Sequence, residues 1–263
     1  MKVSTTMPRF IIRLLLLFAL ATSTVAYVSI ITGANGFVGR HVVHSLLQQS
    51  DDNTSVIICL VRENKVSQEA LYWCAQTDDM DKNNVCIKVM SYDMLDNGKT
   101  LLKALEAGLQ NSASKSCQIC VYHVASSFGP TPDPIQTAKD NVQSTEDAVR
   151  ELDKFYHSHP ETKPRIVITS SMAAVRATDQ TPLNGKHYTY KDWNTLSKLN
   201  ADNWGSCYQW SKAESERRAW ELVKECNDRY AREDNGKDSR RKIEMVALCP
   251  SFVFGRHLLY QPR

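Results

Sequence analysis

With 263 residues the chain has room for one large α/β domain, or for a domain and a fragment. Its 42% hydrophobic and 23% charged residues are ordinary for a soluble globular protein, and it carries no internal repeat or low-complexity tract. A formal charge of +3 makes no general case for nucleic acid as a partner, because the basic cluster Arg240, Arg241 and Lys242 stands among Glu233, Asp234 and Asp238, as in a solvated loop.

At the N-terminus, Lys2, Arg9 and Arg13 precede an apolar run from Leu14 to Ala21, and no acidic residue occurs before Asp51. Thr24-Val25-Ala26 has the small residues of a cleavage site, so residues 1–26 read as a secretory signal peptide or other targeting segment. The alternatives are an uncleaved membrane anchor and an organelle transit peptide. The run is short for a membrane span and is interrupted by Arg13. A cut after Ala26 leaves the first strand intact and no membrane span. It sends the chain to the endoplasmic reticulum or to an organelle reached through it. Eight cysteines raise the question of disulfides, but Cys59, Cys120 and Cys249 lie in apolar strand-like runs, where cysteine acts as a small hydrophobe. The Cys117/Cys120 spacing lacks a second pair for zinc, and no metal site is expected. The sequon Asn53-Thr54-Ser55 fits a surface loop.

The stretch YVSIITGANGFVGR, residues 27–40, organises the rest of the chain. Residues 27–31 read as a buried strand, and Gly33, Gly36 and Gly39 come next at three-residue intervals before an amphipathic helix that carries Val42, Val43, Leu46 and Leu47. A dinucleotide pyrophosphate needs such glycines for a tight turn, a close backbone approach and helix-on-strand packing, and the N-terminus of the helix favours its charge. A second strand spans 55–61 and ends at Arg62, with Lys65 close behind. An arginine at this place accommodates a 2′-phosphate, which selects NADP(H) over NAD.

The polar stretch to Asn84 holds one short amphipathic piece around 71–74. Further strands are expected at 85–89, before Asp93, and at 117–124, before the prolines 130, 132 and 134. Helices are expected at 98–109 and 137–157. A strand at 165–169 ends in Ser170-Ser171, a long polar segment leads to Asn203, a long helix spans 204–231, and a sixth strand at 243–248 is closed by Pro250. Strands alternating with helices predict a parallel, doubly wound α/β sheet (a Rossmann fold) in the order 3-2-1-4-5-6, with the ligand at the carboxyl ends of strands one and four.

Tyr208 and Lys212 stand one turn apart on the long helix. A tyrosine hydroxyl, with a pKa near about 10, works as an acid toward a carbonyl only when that value is brought down, and a neighbouring ammonium does this by favouring the phenolate.

These stretches, with VYHVAS, VITSSMAAV, YQWSKAESERRAW and LCPSFVFG, resemble the extended short-chain dehydrogenase/reductases (the NAD-dependent epimerase/dehydratase family), most closely the branch of dihydroflavonol reductase and cinnamoyl-CoA reductase. The resemblance implies an NADPH-dependent reductase of an aldehyde, ketone or related carbonyl. It makes Tyr208 the proton donor, Lys212 the ribose contact that tunes it, Ser171 the group that orients the carbonyl, and Asn141 the support of a proton relay. It places the cofactor on Gly33, Asn35, Gly36, Phe37, Val38 and Gly39, then on Arg62 and Lys65. Further contacts are Asp93 and Met94 at the adenine, Ala125 and Ser126 after the fourth strand, and Pro250 and Val253 over the nicotinamide. Expected partners are a small-molecule carbonyl substrate and a second copy in a homodimer.

Family members continue beyond the sixth-strand motif into a small substrate-binding lobe, and this chain stops at Arg263. The expectation is a Rossmann domain over 27–263 lacking that lobe, with an open substrate side and exposed apolar surface. Tyr188, Tyr190 and Trp193 are the aromatic candidates for the pocket. The competing readings are a nucleotide-sugar epimerase or dehydratase with bound NAD, which Arg62 argues against, and a catalytically inactive NADP-binding short form.

Overall fold

The computed structural model describes residues 26–49, 55–79, 85–233, 242–254 and 258. Most of the expected leader, the sequon residues Asn53 and Thr54, the basic pair Arg240-Arg241, and Gly255 lie outside them. Six strands form one sheet: β1 (Tyr27–Thr32), β2 (Ser55–Val61), β3 (Cys86–Ser91), β4 (Gln118–His123), β5 (Lys163–Thr169) and β6 (Glu244–Leu248). Their order is β3-β2-β1-β4-β5-β6 and every pairing is parallel, which is the expected Rossmann topology. The helices are α1 (Phe37–Gln49), α2 (Val66–Asp79), α3 (Lys99–Asn111), α4 (Pro134–Ser158), α5 (Met172–Val175) and α6 (Trp204–Glu233).

Strand β2 shows why the central strands read as unbroken apolar runs. Val56, Ile58 and Leu60 enter a core with Leu101, Leu105, Leu152, Phe155 and Tyr230 of α3, α4 and α6. Ile57, Cys59 and Val61 point the other way, into a core with Val43 and Leu47 of α1 and Tyr72 and Trp73 of α2. A strand covered on both faces has no polar side to alternate with. At the far edge the cover thins, and Val246 and Leu248 of β6 remain exposed.

Two elements differ from expectation. The short piece at 71–74 is part of the fourteen-residue α2, preceded by a 3-10 turn at Glu63–Lys65. Its inward face includes Glu69, fully buried and paired with Arg40 of α1, so a charge sits where the pattern calls for an apolar residue. Arg40 also lies 4.7 Å over the Tyr72 ring and donates to the Leu258 carbonyl. The polar segment after β5 begins with the one-turn α5, capped by the Ser171 side chain accepting from Ala173 N. Beyond α5 the segment is held by side chains bonding to backbone. Buried Asp192 accepts from Leu183 and Thr189, and buried Asn194 donates to Ala173 O. All eight cysteines are free thiols; Cys59 and Cys120 are buried within strands, whereas Cys249 lies one residue past β6 and is exposed. No described helix is long and apolar enough to cross a membrane.

Gly39 ties α1 to the turn before it, since a Cβ there would lie 2.2 Å from Gly33 O and 2.9 Å from Ala34 Cα. Gly39→Ala is expected to destabilise the fold by about 1–3 kcal/mol, the usual cost of forcing an atom into a filled contact. A urea titration checks this, and an unchanged midpoint would show that the turn yields.

Candidate active site

The carboxyl ends of β1 and β4 meet at a buried hydroxyl. Thr32 Oγ1 accepts from the amides of Val124 at 3.0 Å and Ala125 at 3.1 Å. With both lone pairs used, its own proton goes to His123 Nδ1, 3.3 Å away. His123 therefore carries its proton on Nε2 and donates it to Thr145 Oγ1 at 3.3 Å, and Thr145 donates to Asn141 O at 3.1 Å. This chain of bonds requires a neutral imidazole. Burial, aided by the charge of Lys212, supplies one by pushing the His123 pKa down to about 4.

The glycine turn lies against this junction. Gly33 has φ +67°, and a Cβ there would approach Ala125 Cα to 3.1 Å, so both backbone conformation and space demand glycine. Ala34 N is anchored on Leu60 O, and Gly36 N donates back to Gly33 O. The first helical bond runs from Arg40 N to Gly36 O, which sets the amides of Val38 and Gly39 ahead of the ladder at the positive end of α1. Asn35 is half-buried within this turn.

Arg62 and Lys65 are exposed at the end of β2, and Lys65 donates to Gln68. Asp93 follows β3; its carboxylate accepts from Leu95 N at 2.9 Å, and Met94 sulfur lies 4.0 Å from Ser127 Oγ. Asn141 uses both ends of its carboxamide on Ser127, accepting from N at 2.8 Å and donating to O at 3.0 Å. Its side chain thereby fixes the loop after β4.

Beside the junction opens a cleft of about 1000 Å³. It brings together Phe37 and Val38, Ser126, Ser171, Tyr208 with Lys212, and Pro250 with Val253. Gly33, Asn35, Gly36, Gly39, Arg62, Lys65, Asp93, Met94, Ala125 and Asn141 are not on its wall. Ser171 and Tyr208 share the cleft wall, and the Ser171 hydroxyl eases the phenolate form of Tyr208. Lys212 is buried and donates to Thr169 O at 3.0 Å, with its ammonium 5.8 Å from the Tyr208 ring centre. The electrostatics depart from the expected pattern. Burial raises the Tyr208 pKa above its ordinary value, the Ser171 hydroxyl opposes this, and burial lowers Lys212 to about 8. In the chain itself desolvation, not the ammonium, sets the direction of the Tyr208 shift. The glycine turn, the positive helix end and the cleft together fit a bound dinucleotide.

Of the expected aromatic residues, Tyr188 alone lines the cleft; Tyr190 is 87% exposed, and Trp193 packs under Arg217. The wall is instead built from Trp204, one turn before Tyr208, and Phe128, which meets both rings edge-on at 5.5 and 4.8 Å. Glu216, one turn after Lys212, also escaped the sequence reading. It is buried, takes the Ser170 hydroxyl and the Cys249 thiol, and so knots the ends of β5 and β6 to α6. The four-residue spacing Trp204, Tyr208, Lys212, Glu216 was the available signal.

The depressed Lys212 pKa means that between about 8 and 10.5 the unfolded chain holds a proton that the folded chain has released. Stability contributed by this group therefore rises with pH across that window and is lowest below it. Carbon-13 NMR of the lysine side chains is expected to show one lysine titrating near pH 8, lost in Lys212→Met. An ordinary value for every lysine would contradict the burial.

A family model described as Male sterility protein matches residues 31–229. An uncharacterized oxidoreductase of Schizosaccharomyces pombe is 30% identical over 232 residues, covering 86% of this chain and 58% of that protein. Gre2 of Candida albicans, solved also in complex with NADPH, superposes with a TM-score of 0.61 at 23% identity, over 89% of this chain and 59% of Gre2. That likeness is one of fold, and the chain spans about three fifths of the length of these relatives. The glycine turn and strands β2 to β5 lie within the matched residues, and the chain belongs to the Male sterility protein family of extended short-chain dehydrogenase/reductases.

Proposed function

We propose that the chain is an NADPH-dependent oxidoreductase that reduces a carbonyl compound to an alcohol. The observation that carries this reading is the meeting of Ser171 and Tyr208 beside buried Lys212 on the wall of a cleft that the glycine turn adjoins. When bound, the reduced nicotinamide supplies the hydride to the carbonyl carbon. Everything else is done by the chain. Ser171 Oγ and Tyr208 Oη hold the carbonyl oxygen and stabilise the charge that gathers on it. Tyr208, kept protonated at neutral pH by its raised pKa, then delivers its proton to that oxygen. Lys212, protonated below about pH 8, stabilises the phenolate left behind. The balance is one carbonyl, one hydride and one proton to one alcohol.

NADPH is preferred in this reading because Arg62 and Lys65 present two exposed cations at the end of β2, where a ribose 2′-phosphate is read. Neither has an acidic partner among the described residues. Gre2, of like fold, has been solved with NADPH, which is in keeping with this choice. The pairing of Asn141 with Ser127 makes it a positioning residue for the loop that carries Ala125 and Ser126.

Tyr208→Phe is expected to lower kcat at least about a hundredfold with NADPH affinity nearly unchanged, the signature of a group that acts in the transition state. Turnover at the wild-type rate would remove Tyr208 from the acid role. Arg62→Asp is expected to weaken NADPH by tenfold or more (about 1.4 kcal/mol) and NADH far less. An equal loss for both cofactors would refute the 2′-phosphate assignment.

A further inference from the structure

Arg176 is a cation of the cleft for which carbonyl reduction has no use. It directly follows α5, five residues after Ser171, and its own amide is tied to Met172 O at 3.0 Å. Its guanidinium lies 5.7 Å over the Tyr188 ring and faces the cleft together with Thr178 and Gln209. Among the described residues the only other charged side chain on the cleft wall is Lys212, whose ammonium is committed to Thr169 O. No described carboxylate lines the cleft, and Arg176 has no acidic partner among the described residues. Much of the lining is apolar: Phe128 meets Trp204 and Tyr208 edge to face, and Phe252 is 85% exposed.

A half-buried guanidinium without a counter-charge is what an anion-binding site looks like before its ligand arrives, because its planar fork matches a carboxylate with two parallel bonds. The aromatic wall suits a flat apolar body, and Tyr208 lies beside that wall. We infer that the substrate is a flat, apolar carbonyl compound bearing a carboxylate, with Arg176 holding the carboxylate while the carbonyl lies against Ser171 and Tyr208. This inference rests on the carbonyl-reduction reading and narrows its substrate class. The anchor acts on substrate choice, so it shows in a preference ratio rather than in a rate.

The test compares 4-carboxybenzaldehyde with its neutral isostere 4-formylbenzamide, each with NADPH, on the full chain. The wild type is expected to prefer the carboxylate at least tenfold in kcat/KM. In Arg176→Gln that ratio falls toward one, whatever the absolute rates, and Arg176→Lys restores part of it. A wild-type ratio near one, a ratio unchanged in Arg176→Gln, or a loss that falls on NADPH affinity would overturn the assignment. If the wild type reduces neither aldehyde, the reductase reading fails on its own account. The anion site is then judged by titrating 4-carboxybenzyl alcohol against 4-(hydroxymethyl)benzamide in the presence of NADP. A tenfold preference for the carboxylate that disappears in Arg176→Gln sustains the site, and equal binding of the two alcohols refutes it.

Discussion

One hydroxyl group holds the two halves of this sheet together where they part. Strand β1 leads to β2 and β3 on one side and pairs with β4 on the other, so the crevice between its end and that of β4 is where a ligand of a doubly wound sheet binds. Thr32 closes the bottom of that crevice by accepting from Val124 and Ala125. The approach of Ala125 then leaves no space for a side chain at Gly33, and the turn beyond it can make its sharp passage into α1. The same hydroxyl fixes the tautomer of His123, and through Thr145 and Asn141 it reaches the loop at Ser127. Glycine turn, cofactor loop and the first part of α4 thus share one buried hydrogen-bond chain. Chains of this kind are worth little net energy per bond when complete, but they are costly when one partner is lost.

The second constraint is the burial of Lys212. Moving its pKa from 10.5 to about 8 corresponds to roughly 3 kcal/mol against the ammonium form. In the fold its ammonium donates to Thr169 O. The helix bears this cost at a position where Glu216, one turn on, ties β5 and β6 to the same face. The lysine is therefore held near the Tyr208 ring, where the proposed reaction needs a cation to favour the phenolate. The tyrosine's own burial raises its pKa and keeps it protonated at neutral pH, which suits the donor role proposed for it.

Much of this was legible in the sequence. The six strands, their order and the glycine turn arise from apolar runs punctuated by glycine and proline, because buried parallel strands leave no other pattern. Ser171, Tyr208 and Lys212 were named from spacing, position and family resemblance, and they meet in one cleft. What escaped was encoded in pairs far apart in the chain. Helix α2 reads as polar because Glu69 is neutralised by Arg40, 29 residues earlier. The pocket aromatics were sought in the polar segment, where Tyr190 and Trp193 turned out to serve the surface and an arginine contact. Phe128 gives no periodic signal because it sits in a loop, and its role depends on its contact with Trp204 and Tyr208. The upward shift of Tyr208 was invisible for a like reason, since desolvation depends on everything packed around a group and a four-residue spacing records only one neighbour.

The central claim is that these residues close a working nicotinamide cleft that reads a 2′-phosphate. Titration of the purified chain with NADPH and with NADH, followed by nicotinamide fluorescence, tests it most directly. Saturable binding with a clear preference for NADPH is the predicted result. Binding of neither cofactor, or equal binding of both, would contradict the account.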